Sequence, residues 1–226
     1  MVRNDQPRWA VIFDCDGVIL DSEPIGLDTL AEVVKRFGLP IERPELDYYC
    51  GHSDIATYYD FVTKYGEFAT AAEFIEAVDA AYMHALKELG MQVFPGVLTL
   101  VDQLAAQAIP YGIGTSGSTH KVTAGLTMAG IKDRFPVIVA GDEVAEAKPA
   151  PDIFLRVAML LQVNPTRCVV IEDSPTGITA AQRAGMACVA VTTSFDASVL
   201  SQADLLVPSL TQLSIPVLER MCSVAK

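Results

Sequence analysis

Asp14 and Asp16 stand two residues apart at the end of the apolar run Trp9-Ala-Val-Ile-Phe13. On extended backbone, side chains two apart point to the same side, so both carboxylates can face one reactant while Cys15 turns away. Gly17 follows and lets the chain turn out of a sheet. Two other apolar runs finish in the same chemical manner: 110–114 leads into Thr115-Ser116-Gly117, and 168–171 into Glu172-Asp173-Ser174. Lys148 precedes the helical stretch that follows a further run at 137–140. One acid at a strand end is readily a loop cap or a solvated carboxylate. Four acids, a hydroxyl and a lysine at successive strand ends call for another account, because ligands of parallel sheets collect at the carboxyl ends of the strands. Two carboxylates about 4 Å apart repel by on the order of 4 kcal/mol at an effective dielectric of 20. A cation is therefore required among them, and an oxygen-only ligand set without His or Cys points to Mg²⁺.

These residues need a scaffold that brings distant strand ends together. Apolar runs recur at 9–13, 110–114, 137–140, 168–171, 187–191 and 204–207, with helical patterning at 97–107, 119–129, 152–162 and 176–184. Strands alternating with helices predict an α/β fold with a parallel sheet covered on both faces. Ser174-Pro175 offers a helix N-cap followed by Pro in the first turn, and Gly130 and Gly185 sit where C-terminal caps belong. The interval 22–91 breaks the alternation. Ile25, Leu30, Val34 and Phe37 mark one helix, stopped by Gly38 and Pro40; Tyr58, Val62 and Tyr65 mark a second, and 70–89 gives a third. The expected organisation is a core of 1–20 and 92–226 interrupted by a helical insert at 21–91.

At 226 residues, 51% of them hydrophobic, the chain can bury one sizeable core and a smaller module. No apolar run approaches the ~20 residues of a membrane span, and the polar start MVRNDQPR leads directly into a strand, so a cytoplasmic protein is expected. A net charge of −12 argues against nucleic acid or an anionic membrane as partner. The five cysteines contain no Cys-x-x-Cys pair; Cys15, Cys168, Cys188 and Cys222 fall in or near apolar runs, and Cys50 precedes a glycine. Neither disulfides nor a thiolate metal site is expected.

Asp14-x-Asp16-Gly17-Val18, Thr115, Lys148-Pro149 and Glu172-Asp173-Ser174-Pro175 together resemble the four motifs of the haloacid dehalogenase superfamily, in its branch of phosphatases and β-phosphoglucomutases with a helical cap. The likeness runs in order over nearly the whole chain, and KPAPDIF at 148–154 followed by IEDSPTGI at 171–178 is its most telling portion. It implies a Rossmann-like core with an inserted helical cap over 21–91. It also implies Asp14 as the nucleophile that attacks phosphorus and forms an aspartyl-phosphate. Asp16 would protonate the leaving oxygen, deprotonate the water, and touch the metal through its backbone carbonyl. Thr115, with the backbone amides of 115–117 and side chains at Ser116 and Ser118 beside Gly117, would hold phosphoryl oxygens. Lys148 would offset charge, and Glu172 and Asp173 would complete a Mg²⁺ site with Asp14 and Asp16. His52, in the loop 50–54, falls where caps of this family reach the substrate.

The acid at Asp16 favours an oxygen leaving group over halide, which needs no proton to depart. The family's mutases hold a second phosphate through an Arg in a Gly-x-Ser-Arg segment, and here Gly51-His52-Ser53-Asp54 places an acid; where they carry a His on the first cap helix, Gly26 stands. The expected activity is Mg²⁺-dependent hydrolysis of a small phosphorylated metabolite, most simply a sugar phosphate, by a monomer, with a phosphosugar mutase as the alternative. Gly112-Ile-Gly-Thr-Ser-Gly117 also spells the dinucleotide fingerprint of an NAD-binding dehydrogenase. That reading leaves Asp14, Asp16, Lys148, Glu172 and Asp173 unexplained and lacks a suitably spaced ribose-binding acid. A non-enzymatic binding module built on a catalytic scaffold is the remaining rival, separable by a test for phosphatase activity.

Overall fold

The computed structural model describes residues 9–49 and 51–223; the lead segment 1–8 and Cys50, on which expectations were placed above, lie outside the described residues. Six parallel strands form one sheet: β1 (Ala10–Phe13), β2 (Tyr111–Gly114), β3 (Ile138–Val139), β4 (Cys168–Glu172), β5 (Ala187–Val191) and β6 (Leu205–Val207), in the order β3-β2-β1-β4-β5-β6. β1 lies at the centre, with Phe13 in register with Ile113 of β2 and with Ile171 of β4. This register is what aligns Asp14, Thr115 and Glu172 at one edge of the sheet.

Alternation divides each central strand between two cores. Val11, Phe13, Val169, Ile171, Val189 and Val191 enter one apolar cluster, whereas Ala10, Ile12, Cys168, Val170, Cys188 and Ala190 enter the other. Burial on both faces is why these strands read as continuous apolar runs. The first cluster is covered by α4 (Val97–Ala106), α5 (Thr119–Met128) and α8 (Ile215–Ser223), the second by α6 (Asp152–Leu160) and α7 (Pro175–Arg183). Gly112 and Gly114 have a packing reason: a Cβ at Gly114 would lie 2.9 Å from Ile153 Cγ2, and one at Gly112 3.0 Å from Val137. The apparent dinucleotide fingerprint here serves close approach of α6 to the sheet.

Between β1 and β2 the described chain is helical: α1 (Glu23–Arg36), a 3-10 segment at Arg43–Tyr49, α2 (Asp54–Tyr65) and α3 (Ala71–Leu89). These elements bury Leu27, Val34, Leu46, Tyr58, Phe61 and Phe74 in a third apolar cluster of their own. α3 belongs to both parts, since Tyr82 and Leu86 near its C-terminal end join the first sheet-facing core. Local signals set the helix starts. Thr70 and Glu73 form a reciprocal capping box at α3, and Ser53 caps α2 by accepting from the Ala56 amide. Arg43–Tyr49 and α8 lie outside the sequence expectations, as do the short 3-10 segments of the core. The described cysteines Cys15, Cys168, Cys188 and Cys222 are free and buried, and no described helix is long and apolar enough to cross a membrane.

Candidate active site

β1 delivers Asp14 to the edge of the sheet, where its amide donates to the Ile171 carbonyl at 2.8 Å. The chain then turns sharply, with the Ile19 and Leu20 amides donating to the Cys15 carbonyl. Gly17 sits in this turn at φ +76°, and a Cβ there would collide with the Asp173 carboxylate and Ser194. Both the left-handed conformation and the space require glycine. Cys15 points into the apolar core, as two-residue alternation anticipates.

Asp14, Glu172 and Asp173 are all buried, and each offers a carboxylate oxygen within 4.8 Å of the others. Lys148 Nζ reaches Asp14 Oδ1 at 2.5 Å and Glu172 Oε1 at 2.7 Å, with its side chain only 4% exposed. Glu172 is the most committed of the three acids. Its second oxygen accepts from the Asp173 amide (2.8 Å), the Ser174 amide (2.7 Å) and Ser174 Oγ (2.9 Å). Ser174 Oγ in turn accepts from the Gly177 amide at 3.1 Å, capping α7. Gly177 is held to a hydrogen by the Glu172 carboxylate, which occupies the place of a Cβ. One buried carboxylate thus joins Lys148 to the start of a helix.

The electrostatics follow from burial. Loss of solvent pushes the Asp14 carboxyl up to about 8; Lys148 opposes the shift while Glu172 and Asp16 add to it. Burial likewise raises Asp173 well above the ordinary carboxylate range, reinforced by Glu172 and Asp14 and opposed by the Ser194 hydroxyl that donates to it. For Lys148, burial alone would favour the neutral amine, but Asp14 and Glu172 override it and hold the ammonium above its usual range. Fully ionised, three clustered acids and one lysine would carry negative charge in excess, and it is partly this crowding that makes Asp14 and Asp173 hold their protons. The all-oxygen donor set and its spacing fit a metal ion, which would relieve that excess.

Asp16 takes a different place. Its carboxylate lies outside the three-acid cluster: Ser22 Oγ donates to Oδ1, and Thr115 Oγ1 donates to Oδ2 at 3.4 Å. Ser22, buried at the start of α1, was not singled out from the sequence, although Pro24 in the first turn marks it as a helix N-cap position. Thr115 follows β2 and is buried, with Ser116, Gly117 and Ser118 forming the adjoining wall of the cavity. Of the three backbone amides expected to face the phosphoryl group, those of Thr115 and Gly117 have partners within the chain. The Thr115 amide is spent on the Val139 carbonyl (3.1 Å) and the Gly117 amide on Thr115 Oγ1 (3.1 Å). The helix itself begins later, at Thr119, with Ser118 as its N-cap, because the sheet claims the first amide before the turn.

The cavity containing Asp14, Asp16, Thr115, Lys148, Glu172 and Asp173 is closed on its other side by the helical insert, through His52, Ser53, Asp54 and Tyr82 among others. His52 is exposed at this mouth, its ring 5.4 Å from that of Tyr48. Gly51 brings the loop against the core: its amide donates to Glu23, and a Cβ there would stand 3.5 Å from Ser174 Cβ. Sequence reasoning also missed Thr193 and Ser194, after β5. Thr193 Oγ1 donates to the Gly17 carbonyl at 2.5 Å, and Ser194 bonds Asp173. Hydroxyls at a strand's carboxyl end were the available signal.

Comparison with known proteins agrees with this architecture. Residues 11–191 match the family described as haloacid dehalogenase-like hydrolase. The chain is 32% identical over 206 residues to validoxylamine A 7'-phosphate phosphatase of Streptomyces hygroscopicus subsp. limoneus, covering 91% of this chain and 95% of that one. It is 32% identical over 204 residues to hexitol phosphatase A of Escherichia coli strain K12, covering 90% and 92%. Among solved structures, β-phosphoglucomutase from Clostridium difficile superposes with a TM-score of 0.85 at 25% identity, over 95% of this chain and 96% of that one. With a parallel sheet whose strand ends gather buried acids around a lysine, and with relatives of this kind along its length, the chain belongs to the haloacid dehalogenase-like hydrolases and is an enzyme of their phosphatase class.

Proposed function

We propose that this protein is a Mg²⁺-dependent phosphatase of small phosphorylated metabolites, sugar or polyol phosphates foremost, working through an aspartyl-phosphate. The observation that carries the reading is the buried set Asp14, Glu172 and Asp173 with Lys148 bridging the first two. Ionised, such a set repels a phosphate unless a cation joins it; Asp14, Glu172, Asp173 and the Asp16 carbonyl would hold Mg²⁺, which would supply that neutralising charge.

Asp14 then attacks phosphorus, oriented by Lys148, which also stabilises charge on the transferring group. Asp16 gives its proton to the leaving oxygen and afterwards takes one from water; Ser22 and Thr115 hold its carboxyl in place for both transfers. Thr115, Ser116, Gly117 and Ser118 line the phosphoryl pocket. Residues 1–20 and 92–226 act as the catalytic core. The insert 21–91 acts as a cap that selects the substrate and excludes bulk water, His52 lying at its mouth. The working unit is a monomer.

The test is phosphate release from a panel of sugar and polyol phosphates, phosphoglycolate and an aryl phosphate, with Mg²⁺ and with chelator. Turnover that needs Mg²⁺ and disappears in Asp14→Asn is expected; turnover that survives this substitution rejects the mechanism. The structural likeness to β-phosphoglucomutase favours a second reading, a phosphosugar mutase. Bisphosphate-primed conversion of β-glucose 1-phosphate to the 6-phosphate would replace the phosphatase assignment with that one.

A further inference from the structure

We infer that Gly26 is a specificity-determining position: by carrying no side chain it keeps open, beside the leaving oxygen, the space for a ring-sized polyol as the substrate's non-reacting part. This inference rests on the phosphatase reading and adds the size and class of the alcohol released.

Gly26 lies inside α1, where glycine is unfavourable because it loses more backbone freedom than alanine and has no side chain to pack. Its hydrogen bonds are those of an ordinary helical residue: its amide donates to the Ser22 carbonyl at 2.9 Å, and its carbonyl accepts from Thr29 Oγ1 at 2.9 Å. The usual reasons for a glycine are missing. Its backbone is not in the left-handed region. A Cβ added there would meet nothing within 4 Å apart from its chain neighbours and the backbone of its own helix. The other described glycines lining the cavity differ: Gly51 has φ +73°, and a Cβ at Gly117 would press on Val122 Cγ2 at 3.2 Å. Gly26 is half-buried and faces the cavity, so what its missing side chain provides is room inside it.

The helix fixes where that room lies. Ser22, the N-cap of α1, donates to the Asp16 carboxylate, the group that serves the leaving oxygen in the phosphatase reading. Gly26 stands four residues on along the same face, about 6 Å up the helix axis, and Leu30 follows after another four. This wall of the cavity therefore runs from Asp16 past Gly26 to Leu30. α3 packs against α1 and lines the cavity with Val78 and Tyr82, while α2 contributes Thr57. Leu30 and Val78 are apolar and buried; Thr57 and Tyr82 carry hydroxyls. Such a lining suits a cyclic polyol, whose C–H face packs on leucine and valine while its hydroxyls reach threonine and tyrosine. A two-carbon alcohol would leave those contacts unmade.

The test compares kcat/KM for a hexose 6-phosphate with that for phosphoglycolate, with Mg²⁺ present. The wild-type protein should favour the hexose ester by about 10-fold or more. In Gly26→Leu that ratio should fall by at least about 10-fold, and in Gly26→Ala by a smaller factor. The melting temperature of Gly26→Ala should rise above that of the wild-type protein, because alanine is the better helix former. A lowered melting temperature would give the glycine a structural role and overturn the inference. Equal or better use of phosphoglycolate by the wild-type protein, or a ratio unchanged in folded Gly26→Leu, overturns it while leaving the phosphatase reading standing. Failure of the wild-type protein to release phosphate from either ester or from an aryl phosphate removes the phosphatase reading and this inference together.

Discussion

The carboxylates at the ends of β1 and β4 and those of the helical insert are the same chemical groups held in opposite ways. Asp14 and Asp173 are buried and crowded, and their pKa values are raised, chiefly by loss of solvent. Asp60 and Glu73 sit on the surface of the insert and are lowered, Asp60 by Lys64 and Tyr49 and Glu73 by hydrogen bonds from Thr70. As the pH rises above the ordinary carboxylate range the first group works against the folded state, whereas the second helps the insert form. The site is therefore organised for a ligand at the expense of stability, whereas the insert is organised for its own folding.

Removing the crowded charge is the most severe test of that contrast. Asp14→Asn should lower phosphatase kcat by roughly 10⁴-fold or more, as loss of a nucleophile does, while raising the melting temperature of the metal-free protein. A lowered melting temperature in chelator would show that Asp14 stabilises the fold. In the insert the large effect comes from packing. Phe74 is fully buried and edge-on to Phe61 and Phe68. Phe74→Ala should cost about 3–5 kcal/mol in chemical denaturation, with Mg²⁺ uptake by the core, measured by calorimetry, retained.

The pH dependence should differ in sign between the two regions. Asp14 has a folded value of about 8 against an ordinary 3.8, so between those limits the folded protein holds the proton that the unfolded chain has lost. Stability of the metal-free protein should then fall as pH rises from about 4 to about 8. Added Mg²⁺ should stabilise most at the upper end of that window, by melting temperature. For Asp60 and Glu73, lowered in the fold, the contribution is present above their unfolded values and is lost as pH falls through their folded ones. The smallest change expected is Thr70→Ala, which removes the capping box of α3 at a cost of about 1 kcal/mol. Acid should weaken the wild-type insert more than this variant.

How legible these features were depended on their range along the chain. Strands buried on both faces announce themselves as apolar runs, and the residues ending them were named in advance because the period of a parallel sheet puts reactive groups at its carboxyl edge. Ser174 was readable as a cap because Pro175 follows it, and the structure has its hydroxyl accepting from the Gly177 amide. α8 and the 3-10 segment at 43–49 were not read from the pattern; the latter is only seven residues, and Pro44 and Asp47 in it are also turn formers. Ser22, Thr193 and Ser194 went unread as well. A hydroxyl carries no periodicity, and its importance arises from which carboxylate lies opposite.

The sequence by itself determined the layered α/β class, the helical interruption after the first strand and the acids, lysine and hydroxyl that gather at the sheet edge, because each is written in local periodicity or in chemistry at a run's end. Only the tertiary structure decided how those groups divide their partners. It joined Lys148 to both Asp14 and Glu172, kept the Asp16 carboxylate with Ser22 and Thr115, and set Lys121 between two acids of the insert. Lys121 lies 67 residues from Asp54 along the chain. Charges so far apart share no spacing rule, and only the packing of the insert on the core brings them within reach of one another.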